Sequence, residues 1–160
     1  MNLVSTIERT PSPTLRAASV RVSREINAAP GRIFDAWLDA RAAPAFLFAA
    51  QTGVASIADI DARVGGEFRI VHGRDGGDVE YRGRCLEIDR PHRLVFSLFV
   101  EKFAQHDDRV VVELAPVVAR SLLVLTHELS LPNPAERSRI RYGWTRALER
   151  LDARLVSARH

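Results

Sequence analysis

Residues 133–157 read NPAERSRIRYGWTRALERLDARLVS, and this stretch decides the fold. Asn133 is a good N-cap, Pro134 stands at the first helical position, and Glu136 follows three residues after the cap. Ile140, Trp144, Leu148, Leu151 and Leu155 then recur at spacings of three or four. The pattern predicts an amphipathic helix of about six turns with a single apolar stripe. Such a stripe must be buried against another element. Gly143 stands inside the helix, where glycine costs about 1 kcal/mol relative to alanine. The expectation is that it permits a close approach to the covered element, or leaves room beside it.

The upstream sequence supplies what the helix covers. Val20, Val22 and Ile26 alternate with Arg21, Ser23 and Glu25, a half-buried strand. Pro30 opens a short helix whose Ile33, Phe34, Trp37 and Leu38 share one face. A second helical piece is expected over 41–49, with Phe46, Leu47 and Phe48. After Gly53 the period becomes two. Strands are predicted over 57–63, 67–72, 79–89, 94–100, 109–114 and 121–129. Val64-Gly65-Gly66, the segment 73–78, Arg90-Pro91-His92 and the segment 116–120 form the turns. Both Gly65 and Gly66 are read as turn residues needing positive φ, as are Gly76 and Gly77. Consecutive strands with short connections make an antiparallel sheet, and one long helix must cover its apolar face. The fold class is therefore α+β: a curved antiparallel sheet around a long C-terminal helix, a shape that can leave a hollow between the two. Residues 1–17, with Pro11-Ser12-Pro13, read as a flexible tail, and 18–158 as one domain.

Composition narrows the function classes. The chain has 160 residues, 46% of them apolar, enough for one core without metal or disulfide staples. Lys102 is its only lysine, so 22 of the 23 basic residues are Arg. They are scattered among Asp and Glu, which argues against nucleic acid and for the codon bias of a GC-rich bacterial genome. Cys85 stands alone, so no internal disulfide forms. The first residues lack a continuous apolar segment of the signal-peptide kind, and no run approaches the ~20 apolar residues of a membrane span. A cytoplasmic location is the expectation.

Five segments, in order, resemble the heat-shock protein 90 ATPase activator homologue family of the START and Bet v 1-like (SRPBCC) superfamily. They are INAAPGRIFDAW (26–37), DARVGGEFR (61–69), YRGRCLEIDRPHRLVFS (81–97), LTHEL (125–129), and Gly143-Trp144 with ALERL (147–151). The resemblance implies a helix-grip fold with an internal cavity. It implies a small hydrophobic or amphipathic ligand, or, as in eukaryotic relatives, a chaperone partner whose ATPase is stimulated. It also brings in polyketide cyclases, and with them a cyclase or hydrolase acting on a hydrophobic substrate. A homodimer is plausible on the same ground. The chain departs from the family at Phe46-Leu47-Phe48, where many relatives carry a Trp pair near the cavity mouth.

Strand alternation supplies candidate ligand-binding residues. His72 shares its face with Phe68 and Ile70, and His127 shares its face with Leu123 and Leu125. Each imidazole is either a hydrogen-bonded core residue or a ligand anchor or acid/base aimed into a cavity. Tyr81 lies on a face with Val79, Gly83 and Cys85, where Gly83 makes room for a ligand or for the helix. Trp144, Phe68, Phe96 and Leu98 are core residues that also suit a cavity wall. Glu113 is expected to face solvent. No catalytic residue is assigned. No two histidines have metal-ligand spacing and Gly65-Gly66 opens no helix, so no metal, nucleotide or other cofactor is expected.

Overall fold

The computed structural model describes residues 19–48, 55–73, 77–100, 107–130 and 134–157. The expected tail, the Asn133 cap, Gly76 and part of the second turn lie outside these residues. A strand β1 (Ser19–Ile26) leads into two short helices, α1 (Pro30–Leu38) and α2 (Ala43–Phe46). Six strands follow: β2 (Ala55–Ile60), β3 (Glu67–His72), β4 (Val79–Asp89), β5 (Arg93–Val100), β6 (Asp108–Val117) and β7 (Arg120–Glu128). The chain then enters α3 (Pro134–Ser157).

The strands form one antiparallel sheet in the order β1-β7-β6-β5-β4-β3-β2. From β2 to β7 it is a meander, as short turns dictate, and β1 returns to pair with β7 from Ser19↔Glu128 to Ile26↔Ser121. The sheet curves around α3, whose Trp144, Ala147, Leu148, Leu151 and Leu155 are buried and whose Ile140 is half-buried. These positions are the predicted stripe plus Ala147. Val110, Val112, Leu123 and Leu125 face it from the sheet in a single core.

Polar contacts fix the helix on the sheet's first edge. Arg137 and Arg141 donate to the carbonyls of Ser19 and Arg21 at 3.1 and 2.9 Å, so backbone acceptors of edge strand β1 are satisfied within the chain. Asp152 accepts from Arg24 and from the Asn27 amide. Arg32 of α1 donates to the Leu155 carbonyl at 2.9 Å, serving an acceptor that the last helical turn leaves open.

Several local expectations change. Gly143 is exposed, and a Cβ there would meet nothing within 4 Å, so it neither approaches the sheet nor opens space beside it. Gly65 has φ +84, but Gly66 is needed for a different reason: a Cβ would collide with the Asp61 carbonyl. That turn folds back onto β4 through Gly65 N–H to Cys85 O and Cys85 N–H to Gly66 O. It takes in Asp61 and Arg63, which shortens β2 at its end. Gly77 has φ +108, as a turn glycine should. The β6–β7 turn tightens to Val118-Ala119, which puts Pro116 in β6 opposite Ser121. Strand β5 pairs with β6 only as far as Glu113, so Pro116 sits where β6 has no partner from β5 for its missing N–H.

Candidate functional site

An apolar hollow lies between the two short helices and the β2–β5 half of the sheet. Trp37 and Leu38 come from α1, and Leu47 and Phe48 from the residues after α2. Ile60, Phe68, Ile70, Cys85, Leu94 and Phe96 complete the wall from the strands. A hollow is therefore present, but not between the sheet and α3 as expected: no residue of α3 lines it, because Trp144 and the other residues of the helix stripe pack directly into the core, and its walls nearly close it to a free volume of ≈ 20 Å³. That is about the room needed by one water molecule.

Aromatic rings do the filling. Trp37 stacks on Trp144 at 6.1 Å and meets Phe46 edge-on at 5.4 Å and Phe96 tilted at 6.2 Å. Phe68 meets Phe96 edge-on at 5.6 Å. The Phe48 ring lies flat on Tyr81, centroids 4.3 Å apart and planes within 5°, and meets Trp144 edge-on at 5.8 Å. Such contacts add about 0.5–1.5 kcal/mol each beyond area burial. Phe48 makes them from φ 57, a backbone region unfavourable to bulky side chains.

Six of the seven candidate ligand-binding residues read from the sequence belong to this connected ring cluster. Phe68 and Phe96 line the hollow directly. Tyr81 backs Phe48, and Trp144 backs both Trp37 and Phe48. His72, fully buried, packs against Tyr81 at 6.4 Å and donates from Nε2 to the Leu47 carbonyl at 3.2 Å, tying β3 to the segment that bears Phe48. His127 reaches the hollow only through Trp144. Leu98 is buried in the core but is not part of this wall. Gly83 makes room, and the room is already taken: a Cβ would collide with the Ser97 carbonyl and sit 2.6 Å from the Phe68 ring. Glu113 faces solvent and pairs with Arg93 at 3.0 Å.

His127 has well-defined hydrogen bonding. The Trp144 indole, a donor only, gives its N–H to Nδ1 at 2.9 Å. Nδ1 is thus an acceptor, and the ring's proton is on Nε2, which donates to Asp108 Oδ2 at 2.8 Å. Asp108 Oδ1 accepts from the Ser130 amide and hydroxyl, both at 2.9 Å. Burial pushes the Asp108 carboxyl up, but the bonds from His127 and Ser130 outweigh it and hold the group below the ordinary Asp value. With both ring nitrogens engaged inside the protein, His127 has no proton or lone pair left for a ligand. The Cys85 thiol is raised by burial and by the Asp61 carboxylate, the opposite of an activated nucleophile.

Sequence reasoning placed Trp37 and Phe48 on helical pieces and named neither among the ligand-binding residues, although the resemblance set Phe46-Leu47-Phe48 near the cavity mouth. Trp37 is buried, and its indole Nε1–H has no hydrogen-bond acceptor among the described residues. A signal was present for Phe48 alone: it closes an apolar triplet just before the chain changes period. Among the described residues no group of three His, Cys, Asp or Glu could hold a metal ion, and no helix is long and apolar enough to cross a membrane.

The family model described as Activator of Hsp90 ATPase homolog 1-like protein matches residues 27–156. A Chromobacterium violaceum protein of known structure superposes with a TM-score of 0.76 at 25% identity, over 85% of this chain and 96% of that one. A Rhodobacter sphaeroides protein does so with a TM-score of 0.76 at 24% identity, over 88% and 93%. DynU16, a protein in the dynemicin biosynthetic locus, superposes with a TM-score of 0.70 at 18% identity, covering 88% of this chain and 48% of that one. These likenesses give the architecture the Bet v 1-like helix-grip fold. No curated protein matches the chain at a significant level.

Proposed function

We propose that this chain, which belongs to the Activator of Hsp90 ATPase homolog 1-like family, binds a small apolar or amphipathic molecule in the hollow between α1, α2 and the sheet. The observation that carries this reading is the wall itself. Ten side chains line the hollow, eight of them purely hydrocarbon, and they join a larger aromatic cluster that includes Trp37, whose buried indole N–H has no acceptor among the described residues. Ligand sites share this make-up of apolar walls with a few polar groups. The small free volume is consistent with a site closed by its own side chains until a ligand displaces them.

Two rival readings have less support. Catalysis on a hydrophobic substrate needs convergent acid/base groups at the hollow. His127 is committed to Trp144 and Asp108, and Cys85 is pushed away from its thiolate. A chaperone partner, the role in the family's name, needs an apolar or charged docking patch. Among the described residues the large exposed apolar side chains are Val64, Leu86, Val117, Val118, Tyr142 and Val156. Val64 stands in the β2–β3 turn, Leu86 on β4, Val117 and Val118 at the β6–β7 turn, and Tyr142 and Val156 on α3. The binding reading is tested by titrating the purified chain with a panel of small apolar molecules while following tryptophan emission. Trp37 lines the hollow and Trp144 packs against it, so saturable changes are expected for some members. A flat response across one-ring, two-ring and short-chain aliphatic probes would count against the reading.

A further inference from the structure

We infer that the hollow selects a neutral one-ring aromatic molecule bearing a hydrogen-bond acceptor, which takes the place of the Phe48 ring and accepts from Trp37 Nε1. The inference rests on the ligand-binding reading above and adds the chemical class of the ligand.

The first observation is the contrast between the two tryptophans. Both are buried in one ring cluster, stacked on each other. Trp144 has an acceptor for its N–H in His127, while Trp37 has none among the described residues. A buried donor without a partner is costly, and a phenylalanine would have avoided that cost. A water molecule is a poor answer, because a buried water needs two to four polar partners. Of the lining side chains only Trp37 and Cys85 carry a polar atom. A ligand with one acceptor on an otherwise apolar body satisfies the donor and leaves nothing of its own unpaired. The acceptor should be neutral, such as a carbonyl, because the wall offers a carboxylate no cation to offset its desolvation.

The second observation is Phe48. Its ring fills part of the hollow, flat on Tyr81 and edge-on to Trp144, from a backbone conformation that disfavours it. A flat ring is therefore what this slot accommodates, and the residue supplying it is held under strain. Exchange of the Phe48 ring for a ligand ring keeps the stacking on Tyr81 and allows the backbone to relax. The ring's volume plus the ≈ 20 Å³ already free suits one ring with a small substituent.

The test uses the full chain and two probes of nearly identical shape, acetophenone and α-methylstyrene, which differ by a carbonyl oxygen against a methylene. Phe48→Ala opens the slot, and Phe48→Leu serves if the alanine variant loses its fold by circular dichroism. Binding is followed by the indole N–H resonances, one from each of the two tryptophans. Acetophenone is expected to bind and to move the Trp37 signal downfield. Adding Trp37→Phe should shift the acetophenone to α-methylstyrene affinity ratio about fivefold toward α-methylstyrene, the fold-change expected for loss of one neutral hydrogen bond. A ratio unmoved by Trp37→Phe, with both probes still bound, would overturn this inference and leave the ligand-binding reading standing. Failure of both probes to bind a folded Phe48 variant would overturn both.

Discussion

Replacing Asp108 with Asn tests the polar support behind the ring cluster. The wild-type carboxylate accepts from three donors: His127 Nε2–H on one oxygen, and the Ser130 amide and hydroxyl on the other. Asparagine has one oxygen and an NH2 group. If its oxygen faces Ser130, its NH2 opposes the His127 N–H. The imidazole cannot escape by moving its proton to Nδ1, because the Trp144 N–H is already aimed there. If the oxygen faces His127, the NH2 opposes the Ser130 amide. Either way, a charge-assisted bond is replaced by two opposed donors in a mostly buried place. The expected loss is about 2–3 kcal/mol near pH 7, or about 1–2 M in urea midpoint for a chain of this size. The acid dependence has a definite sign. The native Asp108 carboxyl lies below its unfolded value. Its contribution is therefore complete above the unfolded pKa of about 3.9 and is lost as pH falls through the native pKa. Urea unfolding followed by tryptophan emission, from about pH 7 down into the acid range, should show the gap between wild type and Asp108→Asn narrowing once the pH falls below the unfolded pKa of about 3.9. A midpoint unchanged near neutrality would refute the network. A gap that stayed constant into acid would place the loss in packing rather than in the charge.

Other expectations follow from single positions. Gly143→Ala should stabilise the chain by about 1 kcal/mol, raising Tm by ~2–4 °C, because the residue is exposed mid-helix with open space where the methyl would go. A lower Tm would mean that Gly143 has a role beyond the described contacts. Gly83→Ala should destabilise by more than about 2 kcal/mol, since the methyl meets backbone at Ser97 and the Phe68 ring; an unchanged urea midpoint would contradict this. Cys85, buried and with its thiol raised, should resist a disulfide reagent in the native protein and react fully in denaturant. Rapid native labelling would show that the hollow opens readily.

The fold was legible because its decisive signals are periodic. The stripe of α3 and the alternation of β3 and β4 place side chains by geometry alone, and the ranges 67–72 and 79–89 coincide with the observed strands. Alternation also put Phe68, His72, Tyr81, Phe96 and His127 on the inward face. What periodicity does not carry is the partner of each inward group. The bond from Trp144 to His127 joins a helix to a strand, and only the tertiary structure shows that it takes up both ring nitrogens once Asp108 is added. Trp37 looked like an ordinary core residue of a short helix, since an unpaired N–H leaves no trace in sequence. Phe48 lay at the end of an expected helical piece over 41–49, whereas α2 stops at Phe46 and the backbone turns to positive φ two residues later. Gly143 was misread because glycine in a helix suggests close packing, and here its side of the helix faces solvent.

On the ligand-binding reading, the closed hollow is a place for a small molecule. Native mass spectrometry of the full chain, set against its denatured mass and repeated with acetophenone present, detects such a molecule by its mass. Added mass that disappears on denaturation is expected, in a one-to-one ratio with the chain, and the same spectra report whether the chain is a dimer. A clean apo mass both before and after the addition would contradict the claim and leave the ring cluster as core packing alone.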